Sequence, residues 1–271
     1  MTQWLAHPLF QTAVAPFLVA LLFAWPLRRI GGGSLALAAG LAVTVYLAIG
    51  FGLSPLTATR KIVIAGIGAF SIGLLLDIAH ARGRGVVVAL ALAGAACALW
   101  VLWPVLKQKE MPQALLFGGV IFAYVAWLVA WGDGLSGDSI KAGSAGLALG
   151  LGSGGAALLG TSALLGQFGL SLAASCGAVL LAQLFTRRGA SVGRSFTLPM
   201  SLVAGLVAAA AVVLAKTPWY APLLLAPIPL AVRLPIPERI PVWLRAGSLS
   251  LVAIAFSAAC VGITWHAVGG L

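Results

Sequence analysis

Long apolar runs separated by short polar clusters set the pattern of the whole chain. Each run is close to 20 residues, the length a helix needs to cross a bilayer. The runs predict helices over Pro8–Leu27, Ser34–Leu53, Ile62–Ile78, Gly85–Leu106 and Pro112–Trp131. A hairpin of two further helices follows over Ser139–Arg188, turning at Gly160–Gln167. Phe196–Ala215, Thr217–Leu234 and Leu244–His266 complete the set. The expected fold is therefore all-α: a polytopic transmembrane helix bundle with about ten spanning helices in one integral membrane domain, residues 1–271. The run at 217–234 is short and holds Pro218, Pro222, Pro227 and Pro229. Prolines remove helix hydrogen bonds, so the alternative is nine spans with this segment re-entrant.

The hairpin carries no charge between Lys141 and Arg187. Ala142, Gly146, Gly150 and Gly154 recur every fourth residue, and Gly169, Ala173 and Gly177 repeat the device on the next helix. In lipid such stripes let helix backbones approach closely. This hairpin is the expected packing centre. Gly150 and Gly154, with Thr161, Ser162 and Gln167 at the turn, are also the best candidates for lining a substrate path. In that version the Gly-rich stretch unwinds and its freed backbone groups bind the substrate near mid-membrane.

Composition supports the membrane class. The chain is 62% hydrophobic and 8% charged, with a mean hydropathy of +1.11, against about 25% charged residues in soluble domains. The net charge is +11. In a soluble protein that excess would point to nucleic acid, but here the basic residues sit in short turns, so no nucleic-acid partner is expected. Eleven of the 16 Lys and Arg residues follow odd-numbered segments and five follow even-numbered ones. The positive-inside rule then places both termini outside, on the periplasmic side of a bacterial inner membrane. The excess also favours anionic lipid headgroups on the cytoplasmic face. No Lys or Arg precedes the first apolar run, so that run is expected to stay as a helix rather than leave as a signal peptide. All nine tryptophans fall near expected helix ends, where an interfacial belt would put them.

Chemistry is sparse. Ionisable residues inside membrane spans are costly and mark function, and the nearest to one is Asp77, three residues before His80. That spacing places both on one helix face. The pair either accepts protons or is an interfacial acid held by Arg82, His80 or a neighbouring helix end. Asp133 and Asp138 lie in a Gly/Ser loop expected to be solvated. Cys97, Cys176 and Cys260 are widely spaced in apolar segments, which suits small buried hydrophobes. One Asp and one His make no metal site, and His7, His80 and His266 do not pair for a haem. Neither a cofactor nor a metal is expected, and enzyme chemistry has too few titratable groups. Two readings remain. One is a permease for a small uncharged or lipophilic solute. The other is a non-catalytic membrane subunit that packs against itself as a homo-oligomer or against a partner protein.

Overall fold

A computed structural model describes residues 10–27, 32–50, 52, 54–81, 83–185, 191–236 and 240–269. His7, Trp4, Arg28, Arg29, Arg82, Arg187, Arg188 and Arg239 lie outside the described residues. The fold is an all-helical bundle. Its helices are α1 (Ala15–Leu27, entered through a π-turn at Phe10–Val14), α2 (Gly33–Ile49), α3 (Ala58–Ile78), α4 (Arg84–Leu106) and α5 (Met111–Asp133). They continue with α6 (Ser139–Leu159), α7 (Ala163–Leu184), α8 (Arg194–Leu214), the single turn α9 (Ile228–Ala231) and α10 (Val242–Val268). Eight of them are long and apolar enough to cross a membrane. At 17 residues α2 is a little shorter, at the lower limit for a span.

Helices α6, α7 and α8 form the centre. Phe196, Met200, Leu206, Leu149 and Leu172 are fully buried there. The α1–α2 hairpin packs on α7, α3 packs on α8, α4 on α5, α5 on α8, and α10 on α6. The α6–α7 pair is the closest in the molecule, and its glycines are the reason. A methyl group at Gly150 would lie 2.5 Å from the Ala173 amide nitrogen and 2.6 Å from the Gly169 carbonyl oxygen. One at Gly154 would lie 2.6 Å from the Leu170 nitrogen. Backbone therefore rests on backbone, as the spacing of four anticipates. The two stripes face each other. Gly177 is the exception, with only the Leu147 Cδ1 at 3.6 Å.

The segment expected as a ninth spanning helix is not one helix. After Thr217 the chain makes a 3-10 turn at Pro222–Leu225 and then α9. Four prolines leave no continuous ladder of N–H donors. The segment nevertheless runs from one end of the bundle to the other. At its start the Thr217 hydroxyl donates to the Ala156 carbonyl at 3.2 Å, near the end of α6. Midway, Trp127 Nε1 donates to the Ala226 carbonyl at 3.0 Å. At its finish Arg233 Nη2 donates to the Trp131 carbonyl at 2.6 Å, near the end of α5. Irregular backbone at membrane depth is tolerated where protein covers it, and this segment packs against α5, α6 and α10.

Candidate functional site

Two features could do work: a cleft in the side of the bundle and a set of charged contacts at one end of it. The cleft exists because α2 and α3 barely touch, while each packs on a different central helix. Its volume is about 230 Å³. Leu37, Leu41 and Val45 of α2 form one wall, and Ile62, Gly66 and Phe70 of α3 form the other. Phe168 of α7 and Pro199 and Val203 of α8 form the floor. No charged side chain lines it. Small residues make the room: Ala38 and Ala42, one turn apart on α2, and Gly66 of α3 all line it. A second apolar cavity of about 180 Å³ lies between α5, α8 and the proline segment, with Tyr124 and Trp219 in its lining. The Tyr124 hydroxyl is buried and has no hydrogen-bond partner among the described residues.

The charged contacts gather at the aspartate end, where α3 and α5 finish and α6, α8 and α10 begin. Asp77 reaches across to α8. Its Oδ1 accepts the Arg194 backbone N–H at 2.8 Å. Its Oδ2 accepts the Ser195 N–H at 2.9 Å and the Ser195 hydroxyl at 2.7 Å. An acid here satisfies orphan donors of the helix start and meets the positive end of its dipole. Gly193, the residue before α8, has no side chain to cap with and sits at φ +73°. The cap therefore comes from another helix.

Arg194 completes the junction. Its Nε donates to Asp133 Oδ1 at 2.6 Å and its Nη2 to Asp133 Oδ2 at 3.1 Å. Its Nη1 donates to the Ala81 carbonyl. The forked geometry is the strong form of this pair, and both side chains are about 10% exposed (10% and 11%). The Ser136 carbonyl accepts the N–H groups of Val192 and Gly193, each at 3.1 Å. Asp138 caps α6 through Oδ1, at 3.0 Å from the Ile140 N–H and 3.3 Å from that of Lys141. Its Oδ2 pairs with Arg245 of α10. The Arg233 guanidinium lies 4.7 Å from the centre of the Trp131 ring. Burial pushes its pKa down, and the charge of Asp133 opposes that.

The residues singled out from sequence are thus spread over several places. Gly150, Gly154, Gly169 and Ala173 are closed in the α6–α7 seam, and Ala142 and Gly146 are buried on the same helix. Thr161 forms the exposed tip of the hairpin with φ +75°, and Ser162 precedes α7. Gln167 is half-buried, and its Oε1 lacks a partner. Of the partners open to Asp77 from sequence, it meets a neighbouring helix end, the start of α8, and not His80. Helix α3 ends at Ile78, and His80 lies beyond it at φ +51°, exposed, with Nδ1 2.9 Å from the Ile78 carbonyl. Asp133 and Asp138, expected as solvated loop acids, are each held in an ion pair.

Sequence reasoning missed Arg194 and the α2–α3 cleft. A signal was present only for the Asp77 side of the Arg194 junction. Ala65, Ala69, Gly73 and Asp77 stand four apart, so Asp77 continues the small-residue face by which α3 packs. The fold defines the class of this protein, an all-helical polytopic membrane bundle. No family model, curated protein or solved structure matches the chain.

Proposed function

We propose that the protein is a permease or carrier for a small uncharged or lipophilic solute that enters sideways from the bilayer through the α2–α3 cleft. The observation that carries this reading is the lining of the cleft, which is apolar throughout and opens between two helices that scarcely meet. A solute with a charge or several polar groups would lose its hydration there without replacement. The α6–α7 seam is filled by its own backbone and leaves such a molecule no route between those helices.

The described basic residues Arg84, Lys141, Arg194, Arg233 and Arg245 lie at the aspartate end. Arg60, Lys61, Lys107, Lys109 and Lys216 lie at the other. The described residues divide evenly, but along the sequence 11 of the 16 Lys and Arg residues follow odd-numbered segments, and by the rule of positive loops we take the aspartate end as cytoplasmic. We place the protein in a bacterial inner membrane on that basis, with anionic headgroups at that face.

A second reading, the non-catalytic subunit, is favoured by Ala38 and Ala42. Small residues one turn apart also suit a partner helix. Photolabelling separates the two. The protein is placed in lipid nanodiscs with an uncharged long-chain alcohol bearing a diazirine, irradiated and mapped by mass spectrometry. Adducts concentrated on α2, α3 and Phe168, and lost in Ala42→Phe, support the carrier. Adducts spread evenly over all outward helix faces overturn it, and crosslinks from α2 to another chain favour the subunit.

A further inference from the structure

We infer that α3 is a lateral gate beside the cleft and that Asp77 is the latch setting its position. The inference rests on the reading of the cleft as a site. Helix α3 is the least enclosed of the long helices, and α8 is the most enclosed. Along its length α3 packs on α8 and makes few contacts with its neighbours α2 and α4. At the end away from Asp77, Lys61 Nζ donates to the Trp100 carbonyl of α4 at 3.0 Å. The width of the cleft is therefore fixed by one joint, between α3 and α8.

That joint has a graded construction. Near mid-membrane Gly66 faces Val203, and both line the cleft. Further on, a methyl group at Gly73 would lie 2.7 Å from the Arg194 carbonyl oxygen and 2.8 Å from the Ser195 Cα. One turn later Asp77 grips the first two amides of α8 and the Ser195 hydroxyl. The grip lies less than two turns from Pro199, which forms part of the cleft floor. Proline removes a backbone hydrogen bond inside α8, so the first turn of α8 depends on Asp77 for its hold. Asp133 and Ala81 hold the Arg194 side chain at the same point. Loosening Asp77 leaves only the Arg194–Ala81 bond and the Gly73 contact, among the described residues, to hold the end of α3 on α8, and widens the gap to α2.

Two spin labels test this, in a background with the three native cysteines replaced. Leu35 of α2 and Leu75 of α3 are exposed on their helices near the aspartate end, and each is changed to Cys. Pulsed electron paramagnetic resonance in nanodiscs reads the distance between them. Asp77→Asn removes the anionic grip, Ser195→Ala removes the hydroxyl alone, and Gly73→Ala pushes the two helices apart. A longer, broader distance distribution in Gly73→Ala and Asp77→Asn, with a smaller change in Ser195→Ala, supports the gate. At least a twofold change in diazirine labelling of Ala42 and Gly66 should accompany it. An unchanged distance in folded Gly73→Ala and Ser195→Ala protein overturns the gate, whatever the labelling shows. A lengthened distance without any cleft labelling in the parent protein keeps the gate and overturns the carrier reading instead.

Discussion

The carboxylate of Asp77, at the last turn of α3, accepts the backbone N–H of Arg194 at 2.8 Å across 117 positions of sequence. One acid thereby ends one helix and begins another. The guanidinium of the same Arg194 turns to Asp133 at the end of α5. Three helices meet on two acids and one base, at the only stretch of the α3–α8 contact that is polar among the described residues. The rest of that contact is small and apolar.

Removing Asp133 should be costly because Arg194 would keep its charge with little solvent around it. Asp133→Ala is expected to lower unfolding free energy by about 3 kcal/mol, the loss typical of stripping one partner from an enclosed pair. Steric-trap or denaturant unfolding in micelles reads this. Pairing it with Arg194→Met in a double-mutant cycle should recover part of the loss, because the stranded charge goes too.

Asp138 separates capping from ion pairing. Its pair with Arg245 is more exposed than the one at Asp133, at 22% and 24%, and such pairs contribute at most about 1 kcal/mol. Asp138→Asn keeps an acceptor for the α6 amides and should cost little. Asp138→Ala should cost about 1 kcal/mol more, the usual value of an N-cap. Thermal melts of both variants in one detergent check the order.

The α6–α7 seam makes a sharper contrast. Gly150→Ala drives a methyl group into the backbone of α7 and should cost about 3 kcal/mol or prevent folding, at the upper range for overpacking. Gly177→Ala meets one leucine methyl at ordinary contact distance and should fall within about 0.5 kcal/mol of the parent. Equal losses for both would mean the stripe is not packed as described.

Thr217 is the buried polar side chain of the described proline segment. Thr217→Val keeps the shape and removes the bond to the Ala156 carbonyl, which retains its bond from the Gly160 N–H. About 1 kcal/mol should be lost, the net worth of one hydrogen bond. Hydrogen exchange should show faster exchange confined to 217–226.

Most of the fold was legible because lipid imposes a simple rule: spanning backbone must bond to itself, so apolar runs become helices. The glycine seam was legible because a spacing of four marks one face. Pro222, Pro227 and Pro229 signalled a broken helix. A neighbouring helix end was among the partners open to Asp77, but which helix it would be was not legible. Arg194 is an ordinary loop-end arginine by sequence, and only the packing of α3 on α8 brings the two together. His80 was misplaced for a local reason, since α3 stops two residues before it. The cleft was hidden because it arises from helices that fail to meet, and no residue pattern records a missing contact.

The most direct measurement is the accessibility of single cysteines to two thiol reagents, one water-soluble and one lipid-soluble, in a background free of native cysteines. Positions are Ala38, Ala42 and Gly66 in the cleft, Ala142 and Ala173 in the seam, and Thr161 at the tip. The lateral account predicts that the cleft positions react with the lipid-soluble reagent alone, the seam positions with neither, and Thr161 with the water-soluble reagent. Reaction of Ala142 and Ala173 with the water-soluble reagent would reveal an aqueous path through the α6–α7 hairpin and would contradict the account.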